Sequence, residues 1–124
     1  MKVLESLFRV ESMDAVPHDG EVSIRATLSP RRDSAVYRGH FPGQPVTPGV
    51  LMIAAVVELL ETATNQRFRL LNVKNIKYLS MMTPDEVEGC AVEATMMPDG
   101  MATATYCKGD VTYAKMKLQL LPKE

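Results

Sequence analysis

A chain of 124 residues, 46% hydrophobic and 23% charged, has the makeup of one soluble globular domain able to bury about two-thirds of its unfolded surface. Its formal net charge of −1 gives no electrostatic grounds for binding nucleic acid or an anionic membrane. Three Phe, four Tyr and no Trp leave few stacking platforms, whereas nine Met supply apolar filling that adapts to irregular space.

The N-terminal stretch sets Glu5 and Arg9 among its apolar residues and holds no apolar core of signal-peptide length, so a cytoplasmic protein is expected. Leu4, Leu7 and Phe8 have helical spacing, and Phe8, Val10 and Met13 suit a strand. A short helix or turn followed by a first strand is therefore predicted over Leu4 to Val16. His18-Asp19-Gly20 reads as a turn that leaves His18 in solvent. Glu21 to Leu28 alternates, with Val22, Ile24, Ala26 and Leu28 on one side, as a half-buried antiparallel strand does. Pro30 to Asp33 is a polar break that carries Arg31 and Arg32.

Gly39 to Gly49 is turn chemistry around one histidine. Gly39, Pro42, Gly43, Pro45, Pro48 and Gly49 punctuate it, so this backbone has little freedom left to lose. His40 is its only residue that titrates near neutral pH. A helix is predicted from Pro48 to Thr64, with Thr47 as N-cap and Asn65 as its stop, about 25 Å long. Val50 to Val57 has no polar side chain. A helix apolar all round is buried or crosses a membrane, and crossing needs about 20 mostly apolar residues. This helix should be the core about which the rest wraps.

Four strands are predicted beyond it. Leu70 to Leu79 is a strand whose alternation Lys74 and Lys77 break. Met81-Met82-Thr83-Pro84 ends it, and Asp85 and Glu86 keep the bend wet. Val87 to Met96, Met101 to Lys108 and Val111 to Leu121 follow as a meander joined through Pro98-Asp99-Gly100 and Gly109-Asp110. Cys90 and Cys107 lie on separate strands without metal-ligand spacing and read as two free thiols in a reducing compartment. The expected architecture is α+β, an antiparallel sheet of five to six strands around one helix, with residues 1–124 forming a single domain.

His40-Phe41-Pro42-Gly43, Pro45-Val46 and Pro48-Gly49-Val50-Leu51 resemble the signature of the 3-hydroxyacyl-acyl carrier protein dehydratases. The match is dense over about a dozen positions, and the rest of the chain matches in layout. The resemblance implies a hotdog fold, in which a sheet wraps around one long helix and two sheets pair edge to edge in a dimer. It implies a (3R)-3-hydroxyacyl thioester carried on the phosphopantetheine of acyl carrier protein, and loss of water to give the trans-2-enoyl thioester. The substrate brings that group itself, so neither metal nor cofactor is expected. In the resemblance His40 removes the α proton and the backbone N–H of Gly49 polarises the thioester carbonyl at a helix N-terminus. Phe41, Pro48, Val50 and Ala54 are the implied substrate-binding positions.

One position departs from the pattern. The family carries a Glu or Asp fourteen residues after the histidine to protonate the leaving hydroxyl; here that residue is Ala54, and the usual Gln four residues later is Glu58. Three readings follow. Glu58 replaces the acid from the same helix face. Alternatively, the chain gives His40 to a heterodimer whose related hotdog subunit supplies the carboxylate, the family's site being shared between two chains of a homodimer or heterodimer. Or the site binds, or hydrolyses, an acyl thioester without dehydrating it. Arg31 and Arg32 read either as a solvated loop or as a contact for the acidic carrier protein.

Overall fold

The computed structural model describes residues 3–39, 45–84 and 89–123. A short helix α1 (Val3–Ser6) leads into strands β1 (Phe8–His18) and β2 (Glu21–Pro30). Helices α2 (Ala35–Gly39) and α3 (Gly49–Thr64) follow, then β3 (Phe68–Tyr78), β4 (Cys90–Met96), β5 (Met101–Lys108) and β6 (Val111–Pro122). All six strands join one antiparallel sheet in the order β1-β2-β4-β5-β6-β3. The α+β arrangement of a sheet around one long helix is the hotdog fold that the sequence resembles.

The registers align the inner face row by row. Met13, Ala26, Val92, Tyr106, Ala114 and Tyr78 run across the sheet from one edge to the other. The next row carries Ile24, Ala94, Ala104, Met116 and Ile76. Five alanines on this face, Ala26, Ala94, Ala102, Ala104 and Ala114, are buried and leave room for a helix to lie close. Met52, Ile53, Ala55, Val56, Leu59 and Leu60 of α3 fill that room. The buried Tyr106 hydroxyl donates 2.6 Å to the Met52 carbonyl and ties the helix backbone to the middle of the sheet.

Several expectations are corrected by the structure. Thr47 is not the N-cap of α3: Pro48 takes that position with no side-chain cap bond, and the Thr47 hydroxyl instead meets Tyr37. Asn65 does end the helix, in the left-handed conformation at φ 54° and ψ 36°. Ala35–Gly39 forms a short helix that the sequence reading leaves unassigned, its Val36 amide donating to the Ser34 hydroxyl. The third strand starts at Phe68, and register irregularities at Leu70/Asn72 and Val73/Asn75 break its alternation, the second around Lys74, while the pairing is regular through Lys77. The strand expected from Val87 is described from Cys90; Asp85, Glu86 and Val87 lie outside the described residues.

The largest correction concerns α3. It is buried on one side only. Val50 is 70% exposed, and Ala54, Val57 and Glu58 line an open groove of about 1040 Å³ between α3 and β3. Strand β3 is exposed over nearly its whole length and presents Leu71 at 62% and Tyr78 at 52%. Among the described residues no helix is long and apolar enough to cross a membrane. Cys90 and Cys107 are free, and burial pushes the Cys90 thiol up to about 12.

Leu59→Ala should cost about 2–5 kcal/mol, because the side chain is fully enclosed between helix and sheet. Urea unfolding should show a lower midpoint at unchanged slope. A midpoint equal to that of the parent chain would contradict the packing described.

Candidate active site

Gly49 begins α3, so its amide is among those at the helix start with no partner inside the helix. A Cβ added at Gly49 would overlap the ring and hydroxyl of Tyr78. Tyr78, the last residue of β3, projects across the helix start from the inner row of the sheet, and a side chain at position 49 would have to displace its ring. Partial burial pushes the Tyr78 phenol above its ordinary value. Gly49 and Tyr78 line a pocket of about 320 Å³ with Thr47, Met52 and Met82. Tyr78 lies within the strand expected over Leu70 to Leu79, and no local pattern sets it apart.

His40 and Phe41 lie outside the described residues. The described residues on either side are anchored. The Tyr37 and Thr47 hydroxyls hydrogen-bond each other at 2.8 Å, buried. The Thr47 amide donates 2.7 Å to the Met82 carbonyl. Burial pushes the Tyr37 phenol up, and its bond to Thr47 opposes this. Three residues before His40 and three after Gln44, the chain is thus fixed to α2 on one side and to the turn after β3 on the other.

Ala54, Val50 and Glu58 share the opposite face of α3, towards the open groove. The structure therefore separates the candidate positions. Gly49 faces Tyr78, Pro48 caps the helix, and Val50, Ala54 and Glu58 line the open groove. Glu58 accepts two backbone amides. Its Oε2 accepts from the Val3 amide at 2.8 Å and its Oε1 from the Leu4 amide at 3.0 Å. A carboxylate at the start of α1 satisfies two otherwise orphaned N–H groups and suits the positive end of the helix. Glu61 is used in the same way, its Oε2 accepting from the Phe68 amide at 2.9 Å where β3 begins. Both carboxylates of α3 thus serve backbone amides.

The six-stranded sheet and the long helix against it define a hotdog protein. Residues 16–116 match the ApeI-like family, described as ApeI dehydratase, and the chain belongs to that family. It is 35% identical over 65 residues to the 3-hydroxyacyl-acyl-carrier-protein dehydratase FabZ of Clostridium acetobutylicum, across 47% of this chain and 46% of that protein. Against FabZ of Erythrobacter litoralis it is 33% identical over 94 residues, 68% of this chain and 56% of that protein. The match spans about half the length of these curated relatives. An uncharacterized protein of Erwinia carotovora subsp. atroseptica shares the fold with a TM-score of 0.75 at 22% identity, over 94% of this chain and 97% of that one. The dehydratase heterocomplex ApeI:P of Xenorhabdus doucetiae does so with a TM-score of 0.65 at 23% identity, over 90% and 95%.

Glu58→Gln should loosen α1, because the amide has one acceptor oxygen for two N–H donors and turns an NH₂ towards one of them. The expected loss is about 1–3 kcal/mol, with faster hydrogen exchange at the Val3 and Leu4 amides. Unchanged exchange at those amides would contradict the capping role.

Proposed function

We propose that this chain takes part in dehydrating a (3R)-3-hydroxyacyl thioester on acyl carrier protein to the trans-2-enoyl thioester, with the proton-donating carboxylate supplied by a related hotdog subunit. One observation carries the reading: the position where the dehydratase pattern puts its acid is Ala54, on a helix face that lines an open groove among the described residues. The nearest carboxylate on that face, Glu58, is committed to the amides of α1.

In the proposed reaction His40 takes the α proton. The electron pair moves onto the thioester carbonyl, whose developing charge the Gly49 amide stabilises. The β hydroxyl then leaves with a proton from the partner's carboxylate, giving water and the enoyl thioester. Phe41, Pro48 and Val50 would line the acyl path. The phosphopantetheine arm belongs to the substrate, and the proposed chemistry uses no further cofactor. The pair would work in a reducing, cytoplasmic setting, which the free thiols of Cys90 and Cys107 support.

Apolar residues at the β3 edge and the groove beside Ala54 support a second hotdog chain at this surface, since exposed strand edges are ordinarily covered or paired. Thioester hydrolysis is the competing outcome, and it gives a free acid in place of the enoyl product.

His40→Ala should remove dehydration while leaving the unfolding midpoint unchanged, read by mass spectrometry of the enoyl-carrier product. Turnover equal to that of the parent would overturn the assignment of His40. Ala54→Glu should restore the missing acid and raise turnover by the paired chain alone about 10²- to 10⁴-fold. No gain in a correctly folded, paired variant would argue against a missing acid as the limiting deficit.

A further inference from the structure

Three tyrosines stand about the start of α3, and two of them already use their hydroxyls within the chain. The Tyr37 hydroxyl is paired with that of Thr47, and the Tyr106 hydroxyl donates to the Met52 carbonyl. The Tyr78 hydroxyl makes no hydrogen bond among the described residues.

The backbone of Tyr78 is fixed. It ends β3 opposite Ala114 of β6, and the next amide, that of Leu79, donates 2.8 Å to the Tyr113 carbonyl. The pocket of about 320 Å³ is walled by Val46, Thr47 and Gly49 on one side and by residues 78–82 on the other. The Thr47 amide, donating 2.7 Å to the Met82 carbonyl, ties one wall to the other. A donor held in place in this way needs little reorganisation when charge develops beside it.

The ring lies over the helix start. A Cβ added at Gly49 would overlap both the Cζ and the hydroxyl oxygen of Tyr78. Two bonds separate such a Cβ from the backbone nitrogen of its own residue, so the Tyr78 hydroxyl lies within about 5 Å of the Gly49 nitrogen. Two donors at that separation can share one acceptor oxygen at about 2.9 Å from each. The Gly49 amide is likewise without a partner among the described residues, as the first residue of a helix leaves it. Burial raises the Tyr78 phenol above its ordinary value, so the hydroxyl keeps its proton and stays a donor throughout neutral pH.

We propose that the Tyr78 hydroxyl is a second hydrogen-bond donor to the thioester carbonyl, completing with the Gly49 amide the site that holds its developing negative charge. This rests on the dehydratase reading for the thioester, and it adds a residue that lies outside the signature around His40. The phenol keeps its proton throughout the reaction. Its hydrogen bond strengthens as the α proton is removed and the electron pair moves onto the carbonyl oxygen, so it stabilises the transition state more than the bound substrate.

The test uses Tyr78→Phe, which removes the hydroxyl and keeps the ring. Its unfolding midpoint should match the parent's, because the lost hydroxyl has no partner among the described residues. The first readout is the carbonyl stretch of a crotonyl-carrier thioester, labelled with carbon-13 at the carbonyl and bound to this chain, by infrared difference spectroscopy. The parent chain should lower the stretch relative to the free thioester, and Tyr78→Phe should bind comparably and lose the larger part of that shift. The second readout is turnover of the 3-hydroxyacyl-carrier thioester by this chain paired with a related hotdog chain that carries the helix carboxylate. There kcat should fall about 10²-fold with KM little changed. A stretch that Tyr78→Phe leaves unchanged, or a parent chain that does not shift it, would overturn the role given to Tyr78. Turnover by the pair that is indifferent to Tyr78→Phe would also overturn it and would leave the dehydratase reading standing. A shift that depends on Tyr78, with no enoyl product from the pair, would keep the hydroxyl as carbonyl donor and remove the dehydratase reading.

Discussion

A helix whose first nine residues carry no polar side chain has to be surrounded, and the six described strands surround only part of it. The alanine rows of the sheet let α3 lie close, and the Tyr106–Met52 bond fixes its depth. Strand β3, at the end of the sheet, reaches past the helix start with Tyr78 and leaves the Val50–Ala54–Glu58 face beside an open groove. Burial of apolar area stabilises by about 25 cal/mol per Å², so an uncovered face of this kind favours association. The fold therefore carries half of its own enclosure and, on the reading above, half of a catalytic site.

The two halves of α3 have separate tasks. A side chain at its first residue would displace the Tyr78 ring, and the same residue places a helix-start amide beside the pocket. Its later carboxylates do structural work. Glu58 starts α1 and Glu61 starts β3, so the charged groups that interrupt an apolar helix tie the neighbouring elements to it. Replacing a family Gln by Glu at position 58 is then understandable without any proton transfer, since the carboxylate accepts two amides at once.

Alternation made β2, β5 and β6 legible, because each has one face in the core and one in water. It failed on β3, where bulges shift the register and both faces are exposed. The apolar run marked α3 as a core helix, and Asn65 marked its end, but composition along a helix cannot say which chain covers each face. Ser34 was the available signal for α2, a capping residue before Ala35–Gly39. The Thr47 hydroxyl was misassigned because a local cap competes with a tertiary partner, Tyr37, that no local window contains. Glu58 escaped for the same reason, its partners lying 55 and 54 residues away in sequence. The histidine signature and the departure at Ala54 were readable directly from residue order.

The most direct measurement is dehydration of a 3-hydroxyacyl-carrier thioester by this chain alone and after mixing with a related hotdog chain that carries the helix carboxylate. The account predicts little or no enoyl product from the chain alone and rapid formation once the two are paired, lost again when the added chain's carboxylate is removed. Full turnover by this chain alone, unaffected by the second chain, would contradict it.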